Sequence, residues 1–160
     1  MKIRLAVFLL LLVVVSCSKD KFNSKPTLTF KEMSGNYIPL GGDYGVQITM
    51  EYTDAEGDIA GVPLFIEKLS SSASPTNPCS NGNEPYYTDS LSFTLPSDVP
   101  ATTNQKGEVV VTIDGTMTAA LSCNPSDTLE QATFKFWFRD QAGNMTDTVT
   151  SPPITIQKAP

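Results

Sequence analysis

The chain has 160 residues, a formal net charge of −6, three cysteines and no histidine. An acidic chain without a basic cluster argues against nucleic acid and anionic lipid headgroups as partners. Without histidine there is no imidazole base, no imidazole metal ligand and no Ser-His or Cys-His nucleophile, so the chain is expected not to be an enzyme.

Lys2 and Arg4 precede an unbroken apolar run from Leu5 to Val15. As a helix that run is about 16 Å long, too short for a hydrocarbon core of about 30 Å. A basic start, a short apolar middle and the small Ser16 at the exit make residues 1–16 a secretory signal peptide. The stretch Val14-Val15-Ser16-Cys17 resembles the lipobox of bacterial lipoproteins, whose cysteine is diacylated on sulfur and acylated at the new amino terminus. By that resemblance Cys17 is the lipid-bearing first residue of the mature chain, similar to envelope lipoproteins of the Bacteroidota. Ordinary secretory cleavage, leaving Cys17 as a free thiol, is the alternative. Cleavage removes Lys2 and Arg4 and moves the net charge from −6 to −8.

The next residue, Ser18, is not aspartate, and the resemblance then implies the outer membrane. Surface-exposed relatives often carry an acidic cluster after the cysteine; Lys19-Asp20-Lys21 does not match it, so the periplasmic face and the cell surface both stay open. With Cys17 lipidated, as the lipobox implies, Cys79 and Cys123 remain, and two thiols in an oxidising compartment are expected to pair as a disulfide. Residues 17–26 are polar and aperiodic, a flexible tether, and residues 27–158 are enough for one domain.

From Thr27 the apolar residues recur with period two. Leu28 and Phe30 alternate with polar neighbours, then Val46, Ile48, Met50 and Tyr52. The run from Leu64 to Leu69, apolar on both phases, suits a strand covered on both sides or at a sheet centre. Ser70–Thr88, rich in Ser, Pro and Asn, is an expected insertion. Leu91, Phe93 and Leu95 follow, then Val109, Val111 and Ile113, and a short helical turn near Ser126–Glu130. Phe134, Phe136 and Phe138 alternate next. The last strand, with Val149, Ile154 and Ile156, should be an edge or break at Pro152-Pro153. About seven short strands predict an all-β, two-sheet antiparallel sandwich.

One pattern occurs twice: Tyr52-x-Asp54-x-x-Gly57-Asp58 and Phe138-x-Asp140-x-x-Gly143-Asn144. Each follows an alternating strand, with an aspartate to accept backbone N–H groups and a glycine for positive φ. Here the chain looks like the immunoglobulin-like or cadherin-like domains of bacterial surface proteins. A sandwich would bring Asp54, Glu56, Asp58, Asp140 and Asn144 to one end, a set of hard oxygen ligands suited to Ca²⁺. The alternative is that each turn caps its own backbone.

If the three phenylalanines point inward, Lys135, Trp137 and Arg139 share the outer face. Trp137 is then either a ligand platform or a packing partner. The expected function is a non-catalytic, membrane-anchored binding or spacer module acting on an envelope protein or glycan. A carbohydrate-capture accessory of a glycan-uptake system, using Trp137 with Tyr86 and Tyr87, is the alternative. A hydrolase using Asp54 and Asp58 is a weaker third, because paired carboxylates on a turn are commonly just solvated.

Overall fold

A computed structural model describes residues 25–41, 44–70, 87–115 and 129–157, with the backbone alone at 87–89. The signal peptide, Cys17, Cys79, Cys123 and Tyr86 lie outside the described residues. Among the described residues there are nine strands and no helix: β1 (Thr27–Met33), β2 (Tyr37–Ile38), β3 (Val46–Asp54), β4 (Pro63–Ser70), β5 (Tyr87–Thr94), β6 (Gln105–Ile113), β7 (Leu129–Phe138), β8 (Val149–Thr150) and β9 (Ile154–Gln157). They form two sheets. One has the order β1-β3-β6, the other β2-β9-β7-β4-β5 with β8 also on β7. All pairings are antiparallel except β2 with β9.

Period two puts alternate side chains on opposite faces of a strand, and the burial follows it. On β3, Val46, Ile48, Met50, Tyr52 and Asp54 are buried; on β7, Phe134, Phe136 and Phe138 are wholly so. From β4 come Leu64 and Ile66, from β6 Val111 and Ile113, and from β9 Ile154 and Ile156. These inner faces make one core between the sheets.

The count of nine corrects the expected seven. The chain leaves the first sheet after β1 and contributes Tyr37 and Ile38 to the second, parallel to β9. At the other end Pro152 and Pro153, which have no N–H to donate, split the last strand into β8 and β9. Three local expectations also change. Ser70 closes β4 while Tyr87 and Thr88 open β5, so the expected insertion reduces to 71–86. Leu129 and Glu130 begin β7 rather than ending a helical turn, and 126–128 lie outside the described residues. Phe30 is 37% exposed although it stands opposite the buried Met50, because β1 is an outer strand of its sheet.

Phe93 stands directly opposite Leu64 on the inner face, yet it is 42% exposed. Among the described residues the first sheet has three strands against the five in line in the second. A cleft of about 360 Å³ remains there, with Phe93, Val109 and Val111 among its walls.

Lys68 is in phase with Leu64 and Ile66 and therefore points into the core, where it is 2% exposed. Its Nζ meets Glu130 of β7, itself fully buried, at 3.0 Å from Oε1 and 3.2 Å from Oε2. The small side chains of Ser70 and Ala132, opposite each other between these two, leave room for the lysine chain.

Asp54 and Phe138, the last residues of β3 and β7, lead into turns that meet at one end of the sandwich. Val46, Ile113, Ser70 and Leu129 are therefore at the other end. The strand ends flanking Cys79 and those flanking Cys123 both lie there.

Adjacent aromatics on β7 test the alternation. Phe136→Ala should cost about 3–5 kcal/mol in urea unfolding, as for a large buried aromatic. Trp137→Ala should cost clearly less, because the indole is only half-buried. Equal losses would contradict the assignment of faces.

Candidate metal centre

The two similar turns have the same internal bond. Asp54 Oδ2 accepts the backbone N–H of Asp58 at 2.9 Å, and Asp140 Oδ1 accepts that of Asn144 at 2.7 Å. In each, an aspartate four residues upstream satisfies an amide that the turn would otherwise strand. Gly57 and Gly143 supply the positive φ, +71° and +94°. At Gly57 a Cβ would also collide with the backbone of Thr102, so no other residue fits there.

Asp58 goes further than local capping. Its Oδ2 accepts the N–H of Ala142 at 2.9 Å, and its backbone carbonyl accepts that of Gln141 at 3.1 Å. Gln141 Nε2 returns a bond to the Ala60 carbonyl at 2.8 Å. The turn after β3 thus grips the turn after β7 through side chain and backbone together. One carboxylate oxygen each from Asp54, Asp58 and Asp140 then lie within 4.8 Å of one another.

Asp54 and Asp140 are 1% and 4% exposed, and Asp58 Oδ1 is buried with no hydrogen-bond donor. Burial, then the charge of Asp140, then that of Asp54 push the Asp58 carboxyl above its ordinary value, while the Ala142 N–H pulls the other way. Three facing carboxylates with a donorless oxygen repel one another unless a proton or a cation enters.

Of the five residues expected at this end, the structure brings three carboxylates together. Glu56 is exposed and contributes its backbone N–H, 3.4 Å from Asp54 Oδ1. Asn144 reaches Asp140 Oδ2 through Nδ2 at 2.9 Å, so it orients that carboxylate. Hard oxygen donors of this kind fit Ca²⁺, which takes six to eight of them; three carboxylates are a partial shell.

On the outer face, Trp137 pairs across the ladder with Phe65, and the rings stack at 5.7 Å between centroids and 18° between planes. Beside them Lys135 turns to Glu67 at 3.4 Å. One ring face of Trp137 is thus taken by Phe65, a partner the sequence reading missed; the cross-strand register supplies it. Tyr87 lies on β5, on the far side of β4 from Trp137.

No protein-family model and no curated protein matches the chain. Among solved structures it is similar to the crystal structure of Spo0M, a sporulation control protein from Bacillus subtilis, with 10% identity and a TM-score of 0.43. That similarity covers 86% of this chain and 51% of the other, so the chain spans about half of that protein's length.

The raised Asp58 carboxyl has a pH signature. The folded state holds this proton more tightly than the unfolded state, so its contribution to stability grows as pH falls from the raised value towards about 3.9 and is lost as pH rises through it. In chelator, Asp58→Asn should be most favoured over the parent chain near neutral pH, and that advantage should shrink towards about pH 4. Urea midpoints measured across that range read the difference; a gap independent of pH would contradict it.

Proposed function

We propose that the chain is a non-catalytic lipoprotein of the outer membrane, anchored through Cys17, whose immunoglobulin-like sandwich acts as a binding or spacer module at the cell envelope. The sandwich class is supported by strand order: β1-β3-β6 over β9-β7-β4 follows the A-B-E over G-F-C arrangement of immunoglobulin domains. The non-catalytic reading rests on the missing histidine and on the three clustered aspartates, each of which has a backbone N–H to hold.

The observation that carries the spacer reading is the cross-turn grip of Asp58. It stiffens the end at which the chain enters the domain, since Thr27 pairs with Thr53 beside Asp54. Residues 17–26 reach at most about 35 Å when extended, so the braced end is the one tethered to the membrane and the opposite end is the far one. A Ca²⁺ ion held by Asp54, Asp58 and Asp140 would complete the brace, relieving the repulsion among them. The Cys79–Cys123 disulfide would clamp the far end, closing a loop at a gain of roughly 4 kcal/mol.

Fractionation of cells tests the anchor. The parent chain should partition with outer membranes and take up labelled palmitate, and Cys17→Ala should lose both the label and the outer-membrane location; an unlabelled parent chain would overturn the lipid anchor. Protease treatment of intact cells then decides the face. Calorimetric titration tests the ion: chelator-stripped protein should bind Ca²⁺, and the Asp54→Asn, Asp58→Asn pair should abolish the heat.

The second reading, glycan capture, is favoured by the stacked Phe65 and Trp137 on an outer face. A retardation gel containing envelope or host polysaccharide should slow the parent chain and not Trp137→Ala. Equal mobility in every polysaccharide would leave the stack a packing pair.

A further inference from the structure

Lys68 and Glu130 project from the neighbouring strands β4 and β7, whose ladder runs unbroken from Leu64 with Phe138 to Ser70 with Ala132. Backbone pairing therefore fixes where both side chains begin. Both lie against apolar residues, Lys68 opposite Phe134 and Glu130 opposite Ile156. With 2% and 0% exposure, neither end is reached by bulk water. Nζ stands 3.0 and 3.2 Å from the two carboxylate oxygens, and Oε1 is out of line for a hydrogen bond.

A buried ion pair recovers its desolvation cost only with good geometry and full hydrogen bonding. This one falls short of that at Oε1. Burial makes it costly to keep two charges here, so a reaction that removes both is favoured by the site. An amine and a carboxyl group held in contact are the two reactants of amide formation.

We propose that Lys68 and Glu130 are joined by an intramolecular isopeptide bond between Nζ and Cδ. The ammonium gives one proton to the carboxylate, and the Nζ lone pair forms a bond to Cδ. One Cδ–O bond then breaks, and that oxygen leaves as water carrying two protons from the original ammonium. Charge is unchanged, since one cation and one anion become a neutral amide, and no oxidant or reductant takes part. Holding the reactants at contact distance supplies an effective concentration of about 10⁵–10⁸ M, which drives a condensation that free amines and acids in water do not complete. The product removes both buried charges and ties β4 to β7 by a link that reducing agents leave intact, independent of the cysteines.

The test is peptide mapping of the full-length protein after reduction and alkylation. A branched peptide should join the segments containing Lys68 and Glu130, lighter by one water than their sum, and trypsin should fail to cut after Lys68. Lys68→Met should give the two linear peptides instead. Lys68→Met with Glu130→Leu keeps the site apolar and checks that loss of the branch does not follow from misfolding. A branched fraction seen in the parent chain and in neither variant supports the bond. Linear, unmodified peptides alone from the folded parent chain would overturn it, leaving an ion pair.

Discussion

Asp58 is the residue on which the architecture of one end depends. Its backbone N–H is held by Asp54, its carbonyl and carboxylate hold Gln141 and Ala142, and so it connects a turn of one sheet to a turn of the other. Two sheets packed through apolar side chains alone can slide, because dispersion and burial have little direction. Charge-assisted hydrogen bonds from a carboxylate to backbone amides have direction, and they fix the relative position of β3 and β7 at that end. The same arrangement crowds three carboxylates together, so the contact that fixes the sheets also creates the repulsion that a proton or cation relieves.

The opposite end solves the same problem differently. There Lys68 and Glu130 meet inside a single sheet, with Ser70 Oγ buried on the same face and without a hydrogen-bond partner among the described residues. The middle of the sandwich, from Ile48 and Met50 across to Phe134, Phe136 and Phe138, is apolar. Among the described residues the buried charged side chains thus fall in two groups, Asp54 and Asp140 at one end and Lys68 and Glu130 towards the other, while the apolar side chains supply the driving force for collapse.

Much of this was legible in the sequence. The alternation of Val46 to Tyr52 and of Phe134 to Phe138 identified both central strands and their inward phase, because period two is a direct consequence of backbone pleating. The doubled aspartate–glycine turn was also legible, since its glycines and aspartates are required by local geometry. Hidden were features set by neighbours in space. Lys68 has inward parity and a polar side chain, and only the position of Glu130 on an adjacent strand settles which one prevails. Phe30 and Phe93 alternate as core residues do, but they stand on β1 and β5, outer strands of the two described sheets, and stay part-exposed. That Asp58 reaches Ala142 rather than its own turn depends on how the sheets stack.

The most direct measurement is amide hydrogen exchange at Ala142, whose N–H is bonded to Asp58 Oδ2. Followed by NMR in chelator and then in Ca²⁺, this amide should exchange slowly in the parent chain, more slowly still with the ion, and quickly in Asp58→Ala. Exchange as fast in the parent chain as in the variant would contradict the account: the two turns would then be neighbours with no brace between them.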